Sequence, residues 1–330
     1  MKRILSVTGS VVVLGLALFA VWVPLPYYSE GPGPAREVGP LIHVDGLERY
    51  ASSGKLVMTT VSQRGELTTL QLLFAWLDTD TRILSRDEVL PPGTSAEQEQ
   101  QRAYSQMDTS KIDATYVALY RLTSYPIEHG SGALVEGIVA GCPAEGELAA
   151  GDVIEEIAGE PIDSQAEASE LLGSQPVGRA FDVTITAAGE EHTYSLARER
   201  CAEGFGPLLG VSLVDTFPYD ISIESGDVGG PSAGLMYALG LYDLLTPGDI
   251  TGGRTIAGTG TIDRLGSVGA IGGVGDKVVA AERAGADVFL VPLGNYGEAQ
   301  AAVNGSIELV PVSSFEEAIA YLNQAATLSP

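Results

Sequence analysis

An apolar run near the N-terminus constrains this chain more than any other feature. Lys2 and Arg3 precede residues 4–23, which carry no charge. That length is close to the roughly 20 apolar residues that a helix needs to cross a bilayer. Because positive residues favour the cytoplasmic side, the run predicts a single-pass anchor over residues 1–30 with its N-terminus in the cytoplasm. The rest of the chain would then lie outside the cell membrane, on its extracytoplasmic face.

The residues after this run are typical of a membrane interface. Trp22, Tyr27 and Tyr28 stand where an aromatic belt is expected, and Pro24 and Pro26 would end the helix.

A cleaved signal peptide is the competing interpretation of the same run. Its apolar region is usually only about 7 to 15 residues long, and no clear A-x-A site follows Phe19. We therefore favour an uncleaved anchor. The glycine- and proline-rich stretch at 30–34 would then be a short stiff linker.

Length and composition indicate more than one domain and argue against a nucleic-acid partner. The chain has 330 residues, which is more than one average domain, so we expect two or three domains. It carries 43 Asp and Glu against 18 Lys and Arg, a formal charge of -25. Such a surface repels a phosphate backbone, so we expect no nucleic-acid partner.

Residues 31–125 are predicted to be a juxtamembrane linker followed by an α/β segment that packs on the C-terminal part of the chain. A strand is expected at 55–62 and a short helix at 67–77. The polar stretch 95–111 has helical propensity, and residues 112–122 form a second helix candidate.

Residues 126–200 consist of short strands and turns and resemble a PDZ domain of the bacterial protease-associated type. The resemblance rests on elements in a specific order: the strand at 132–139, the G-x-P-A turn at 141–146, the A-G-D-V-I segment ending at Ile154, a helix at about 164–172, and alternating strands at 181–186 and 192–196. It implies a sheet edge that captures an extended substrate chain. The alternative is a structural spacer whose groove is covered.

The two cysteines, Cys142 and Cys201, bracket this PDZ-like segment. An oxidising outer compartment would allow them to form a disulfide, although they could also be two unrelated buried thiols. Neither has a Cys or His at metal-ligand spacing, and the three histidines at positions 43, 129 and 192 are scattered. We therefore expect no metal and no cofactor.

A serine follows a glycine-rich loop in the C-terminal third. After the loop 225–230, Pro231 suits the first position of a helix predicted to run from Ala233 to Leu245. Ser232 would then lie in the first helical turn, where free N–H groups near Gly230 to Ser232 could stabilise an oxyanion. An ordinary capping serine is the alternative.

A lysine provides the matching base. Lys277 follows Gly272 and Gly273 and lies in a first helical turn of the helix expected at 276–284. The positive end of the helix dipole and partial burial would lower the pKa of this lysine, so that its neutral form could remove a proton. A solvated side chain is the usual fate of lysine and remains the alternative.

These motifs together resemble the proteolytic domain of the Lon peptidase family, S16. The resemblance covers residues 210–322, within a predicted domain at 201–330, and rests on G-P-S-A-G at 230–234, A-G-T-G-T-I-D at 257–263, G-G-x-x-x-K ending at Lys277, and L-V-P-L-G-N at 290–295. It implies that Ser232 is the nucleophile, that Lys277 is its base and that Thr259 helps to hold the lysine. Because Lon-type domains commonly form rings, a homo-oligomer is plausible by analogy.

Two departures from the family pattern affect the prediction. The usual acidic residue three positions before the serine is Gly229 here, and Asp227 lies two positions earlier, so we expect a different arrangement of the loop. No G-x-x-x-x-G-K-[ST] segment occurs, so the chain resembles the membrane-anchored branch that lacks an ATPase module. Substrates should then be flexible or already extended.

The expected fold class is α+β: a transmembrane helix, a small PDZ-like antiparallel β domain and a mixed α/β Lon-type proteolytic domain. The expected activity is that of an ATP-independent serine endopeptidase, cleaving membrane-proximal or secreted proteins, with Gly230, Pro231 and Thr259 supporting Ser232 and Lys277. A histidine-based triad is a weaker rival, since no histidine falls in the C-terminal third. The alternative function is a non-catalytic adaptor that binds peptides in its PDZ-like groove.

Overall fold

The computed structural model describes residues 20–91, 93–201 and 206–328. The strands are β1 (Tyr27–Glu37), β2 (Ile42–Val44), β3 (Lys55–Arg64), β4 (Arg82–Ser85), β5 (Ala133–Ile138), β6 (Val153–Ile157), β7 (Glu160–Pro161), β8 (Ala180–Ala187), β9 (Glu190–Ala197), β10 (Glu199–Arg200), β11 (Pro207–Leu208), β12 (Val211–Asp215), β13 (Ile221–Ile223), β14 (Thr255–Gly258), β15 (Thr261–Ile262), β16 (Val268–Gly269), β17 (Val288–Pro292) and β18 (Glu308–Val312).

The α-helices are α1 (Thr69–Leu77), α2 (Arg86–Val89), α3 (Ala96–Leu122), α4 (Gln165–Ser174), α5 (Gly234–Leu245), α6 (Val274–Arg283), α7 (Tyr296–Ala302) and α8 (Phe315–Leu328). Two single-turn 3₁₀ helices lie at Gly39–Leu41 and Leu293–Asn295.

The larger sheet is mixed and has both faces covered. Its strand order is β18-β17-β14-β3-β1-β4, with β18, β17, β14 and β3 parallel and β1 antiparallel to β3. Leu56 and Met58 of β3 face a core that includes α3, α5 and α8, whereas Val57 faces a second core that includes α6. Strands buried on both faces need near-continuous apolar sequences, which β3 and β17 have.

The predicted linker at 30–34 is wrong, because these residues lie inside β1 and pair with β3. Strand β4 pairs only with Tyr27 to Glu30, so the rest of β1 has an open side where proline can be tolerated. The register shifts between Pro32 and Ala35, and a Cβ on Gly33 would come within 2.4 Å of Thr60 Oγ1. The glycines and prolines therefore shape a bulged strand of the main sheet.

The predicted membrane anchor falls mostly on residues 1–19, outside the described residues. In the described part of the chain, no helix combines the length and the apolar character needed to span a bilayer. Of the three aromatic residues expected at the interface, Trp22 and Tyr27 are exposed, but Tyr28 is buried. Tyr27 and Tyr28 belong to β1, where successive side chains point to opposite faces, so both cannot be exposed at one surface.

The two predicted helical stretches at 95–111 and 112–122 form one helix, α3, of 27 residues. Ser95 begins it with a capping box, in which its side chain accepts from Gln98 N and Gln98 reaches back to Ser95 N. Buried residues concentrate in its second half, which packs against α5. This helix connects the two sheets.

The smaller sheet is antiparallel, in the order β12-β5-β6-β8-β9, with β7 paired to β6. Its strands β8 and β9 match the predicted pair. Ser164, the predicted first residue of the helix, is the N-cap of α4, which begins at Gln165. Its core is separate from that of the larger sheet and includes Ile154, Val183 and Leu172.

The predicted boundary at 200/201 is wrong, because β12 pairs with β5. The predicted C-terminal domain, residues 201–330, includes the strand at 209–214. Sequence alternation identified the strand but not its partner, since pairing is decided by long-range contacts. The smaller sheet therefore extends to Asp215.

A disulfide joins Cys142 to Cys201. Cys142 follows β5 and Cys201 follows β10. The two cysteines are 59 residues apart in sequence, and β6 to β9 of the smaller sheet lie between them. Cross-linking of such a loop restricts the unfolded chain.

Candidate active site

Ser232 lies in the turn before α5, and not in the first turn of the helix as the sequence predicted. Ala233 is the N-cap and α5 begins at Gly234. The helix that follows is almost entirely buried beneath the larger sheet. A rigid apolar helix thus fixes the position of the serine.

The carbonyl of Ser232 is held by the loop that follows β14. Thr259 Oγ1 donates to Ser232 O at 3.0 Å, and Gly260 N donates to the same oxygen at 2.9 Å. In return, Leu235 N donates to Gly260 O at 3.1 Å. These bonds fix the backbone of the serine beside the carboxyl end of a parallel strand.

Lys277 is the fourth residue of α6 and points its amine at the serine. Its Nζ donates to Ser232 Oγ at 2.7 Å and to Thr259 Oγ1 at 3.0 Å. Only 3% of the residue is exposed. No carboxylate forms an ion pair with Lys277 among the residues that the structure describes, and burial lowers its pKa to about 8.

The chemical consequence concerns the protonation of this amine. With its pKa near 8, a substantial fraction of Lys277 is neutral at mildly alkaline pH, whereas an exposed lysine would be almost fully charged. A neutral amine at hydrogen-bond distance can accept the hydroxyl proton of Ser232. The alternatives of a capping serine and a solvated lysine do not fit these contacts.

The predicted oxyanion donors need a correction. The N–H of Gly230 donates to Ala103 O of α3 at 2.7 Å, and Pro231 has no N–H. The N–H groups of Ser232 and Ala233 have no hydrogen-bond partner within the described part of the chain. The available donors therefore lie at Ser232 and Ala233, one position later than the sequence suggested.

The departure at Gly229 has a steric explanation. A Cβ at this position would lie 2.9 Å from the Cβ of Ala103, because the loop packs directly on α3. Ser110 Oγ of the same helix donates to Pro231 O at 3.0 Å. Helix α3 thus takes the space in which a side chain at position 229 would lie.

A cavity of about 400 Å³ opens at Ser232 and Lys277. One wall is formed by β3 and the end of β1, and the other by the loop after β13. The lining residues are Pro34, Arg36, Thr59, Thr60, Val61, Ser62, Gln63, Asp227, Val228, Gly229, Ser232, Ala233, Gly272 and Lys277. Position 229, which is acidic in the Lon pattern, has no side chain here, but the carboxylate residue Asp227 also lines the cavity.

Histidines and metal ligands contribute nothing here. No described histidine lines the cavity; His43 lies beside Glu224, His129 contacts Gly130 O, and His192 belongs to β9. Within the described ranges no group of three His, Cys, Asp or Glu residues is arranged to hold a metal.

Sequence reasoning missed the contribution of distant segments to the site. Ala103 and Ser110 hold the serine loop, and Thr59 and Thr60 of β3 line the cavity. They lie more than a hundred residues before Ser232, and no local pattern marks them. The two adjacent threonines in the middle of β3, after an apolar run, are the one indication that the sequence offers.

Comparisons with known proteins agree with parts of this description. Residues 219–324 match the family described as Lon protease (S16) C-terminal proteolytic domain, and this match supports a peptidase. No curated protein matches the chain.

Solved PDZ domains resemble about a quarter of the chain. The PDZ domain of an SdrC-like protein from Listeria innocua is 26% identical, covering 25% of this chain and 92% of that one, with a TM-score of 0.23. The corresponding domain from Listeria monocytogenes is also 26% identical, covering 26% of this chain and 88% of that one, with a TM-score of 0.23.

Proposed function

We propose that this chain is a membrane-anchored serine endopeptidase that cleaves protein chains without ATP. Its nucleophile would be Ser232 and its general base Lys277. The single observation that supports this most is the hydrogen bond between Lys277 Nζ and Ser232 Oγ in a site where the lysine is buried without a counter-ion.

The reaction would proceed by acyl transfer. Neutral Lys277 removes the Ser232 proton as Oγ attacks the peptide carbonyl, and the resulting ammonium returns the proton to the leaving amine. The N–H groups of Ser232 and Ala233 would hold the oxyanion. Water then attacks the acyl-enzyme, with Lys277 again as the base, and releases the new carboxyl end.

The open side of β3 supports an extended substrate. Strand β14 pairs with β3 only from Lys55 to Met58, so beyond that point the same side of β3 has no strand partner among the described residues. This side faces the cavity beside Ser232. A peptide added there as a strand would place its carbonyl groups near the nucleophile.

The smaller sheet would capture substrate chains before cleavage. Strand β12 is at an edge of that sheet and α4 packs beside it. An edge strand next to a helix can bind an extended peptide. The anchor would keep both sites at the outer membrane face, so substrates would be secreted or membrane-proximal chains.

The deciding experiment compares the full-length wild type with Ser232→Ala and Lys277→Ala on an unstructured protein substrate, without nucleotide. We expect cleavage by the wild type only. Equal cleavage by all three proteins would exclude the Ser232–Lys277 assignment. A wild type that binds the substrate but never cleaves it would favour the peptide-binding adaptor.

A further inference from the structure

Helix α1 presents an apolar face that nothing in the described part of the chain covers. The helix has no charged residue between Thr69 and Leu77. Phe74 is 62% exposed and Trp76 is 72% exposed. The other large exposed side chains of the helix are Leu70, Leu73 and Leu77. A contiguous apolar surface of this kind marks an interaction site, because isolated exposed apolar residues are normal but clusters are not.

This face lies where the chain leaves the predicted anchor. Pro24 forms a bridge with Thr68, the N-cap of α1. Leu25 N donates to Leu67 O and Leu67 N donates to Tyr27 O, both at 2.9 Å. These bonds fix the start of α1 beside the segment that follows Trp22.

Trp22 lies two residues before Pro24, which forms the bridge with Thr68 at the start of α1. It is 76% exposed, and Val21 beside it is also exposed. Aromatic side chains of this kind favour the boundary between the headgroups and the acyl chains of a bilayer.

We propose that α1 lies in the interfacial layer of the lipid bilayer, so that the protein contacts the membrane through a second element besides its anchor. The apolar face would be covered by the bilayer, because the described part of the chain begins at Ala20, inside the apolar run at 4–23 that is predicted to cross the membrane. The proposal rests on the anchor proposed above and not on the peptidase activity.

The charge of the chain decides which lipids suit this contact. A formal charge of -25 opposes binding to anionic headgroups, and α1 has no Lys or Arg to offset it. The contact is therefore made by apolar burial, and zwitterionic lipids suit it best.

The contact would orient the candidate active site. Helix α1 packs on β1 and β4 of the larger sheet, and β1 provides Pro34 and Arg36 to the cavity. Two points of attachment, the anchor and α1, would restrict rotation of this sheet above the membrane. The open side of β3 would then face a defined direction.

The chain offers a direct probe, because Trp76 of α1 is one of only two tryptophans in the sequence, and the other, Trp22, is also exposed. In the full-length Trp22→Phe variant, Trp76 is the sole tryptophan. The variant is reconstituted in phosphatidylcholine vesicles with bromine either near the headgroup end or near the methyl end of the acyl chains. We expect Trp76 emission to shift to the blue, to be quenched by the shallow bromine, and to be protected from acrylamide.

A matched pair of variants tests the apolar face itself. In the Trp22→Phe background, Phe74→Glu with Leu77→Glu should abolish the quenching of Trp76 by brominated lipid. Ile127→Glu is the control, since Ile127 is 88% exposed and lies elsewhere. It should leave the quenching unchanged. Cleavage of a soluble unstructured substrate should be the same in all of these proteins.

Three outcomes would overturn the proposal. If the protein floats with the vesicles but acrylamide still quenches Trp76, the bilayer contact is excluded and the anchor is not. Protein that does not float at all would exclude both, without affecting the peptidase. Protection of Trp76 that persists without brominated-lipid quenching and disappears on dilution would show that a second copy covers this face.

Discussion

Two clusters of buried ionisable side chains in the described part of the chain differ in whether a counter-ion is present. At the candidate active site, Lys277 is 3% exposed and contacts two hydroxyl groups but no carboxylate. In the second cluster, Asp113 and Glu136 lie close together and Arg264 binds Glu136 at 2.7 Å. Burial shifts both Lys277 and Asp113 toward their neutral forms, but only the second of the two clusters contains a counter-ion, Arg264, which pairs with Glu136.

The second cluster joins three parts of the fold. Asp113 belongs to α3, Glu136 to β5 of the smaller sheet, and Arg264 to the turn after β15. Ser212 of β12 also donates to Glu136. Burial, followed by the neighbouring Glu136, raises the pKa of Asp113 to about 8. The cluster therefore connects the smaller sheet to α3 and to the turn after β15, whereas Lys277 contacts the hydroxyl groups of Ser232 and Thr259.

The sharpest way to break this comparison is Lys277→Arg. A guanidinium stays protonated at all working pH values and cannot accept the proton of Ser232. Activity should fall by roughly 10²–10⁴-fold, the usual contribution of a general base. Steady-state cleavage of an unstructured substrate measures this, with circular dichroism to show that the variant is folded. Activity within a few-fold of the wild type would exclude Lys277 as the base.

The pH dependence of kcat/KM tests the same residue in the unmodified protein. Burial lowers the pKa of Lys277 to about 8, so the rate should rise about tenfold per pH unit below that value and level off above it. The Asp113→Asn variant is the control, because Asp113 also has a pKa of about 8. An unchanged midpoint in this variant would assign the profile to Lys277, whereas a lost transition would assign it to Asp113.

Thr259 tests how the lysine is positioned. Thr259→Val removes the hydroxyl that accepts from Lys277 Nζ and donates to Ser232 O. One lost hydrogen bond at a charged group is worth about 1.5–3 kcal/mol, so we expect a decrease in kcat of roughly tenfold to a hundredfold. Thr259→Ser should restore most of the rate. A Thr259→Ser variant as slow as Thr259→Val would show that the methyl group matters and not the hydroxyl.

The last prediction concerns stability in the second cluster, where no effect on activity is expected. The folded pKa of Asp113 lies above its ordinary value of 3.8, so the folded state binds more protons between these values and loses stability as the pH rises through them. Asp113→Asn removes this loss and keeps a donor for Glu136. A pKa shift from 3.8 to about 8 corresponds to roughly 5–6 kcal/mol at about 1.4 kcal/mol per pKa unit, so the free energy of unfolding at pH 8 should exceed that of the wild type by up to a few kcal/mol, and the difference should vanish near pH 4.

Denaturant titrations at both pH values measure that difference. A gap of the same size at pH 4 and pH 8 would show that packing, and not the titration of Asp113, is responsible. Asp182, an acidic residue of β8 with no part in the cluster, is a suitable control position for the same substitution.

Local patterns predicted many of the elements and the chemical identity of the site. The alternation of β8 and β9, the capping serine of α4 and the helices on either side of the site follow from short-range rules. The G-P-S-A-G segment and the lysine of α6 identified the two groups that the structure brings to 2.7 Å. Errors arose where a segment's role depends on a distant partner.

Two such errors share one physical cause. Glycines and prolines at 30–34 were interpreted as a linker, but β3 pairs with them and makes a bulged strand of the main sheet. Strand β12 was recognised, but its pairing with β5 was not. Neither partner can be read from the local sequence, because strand pairing depends on which residues the remaining chain brings alongside.

Residue types and their local spacing were enough to indicate which groups could do chemistry here: a serine in a glycine-rich turn, a lysine near a helix start, and a threonine after a strand. The fold in three dimensions brings the three together and buries Lys277 with no counter-ion among the described residues. It also decided that Gly230 gives its N–H to Ala103, which leaves the donors at Ser232 and Ala233 free. Residue types are local properties, but burial and hydrogen-bond partners are set by packing among segments far apart in the chain.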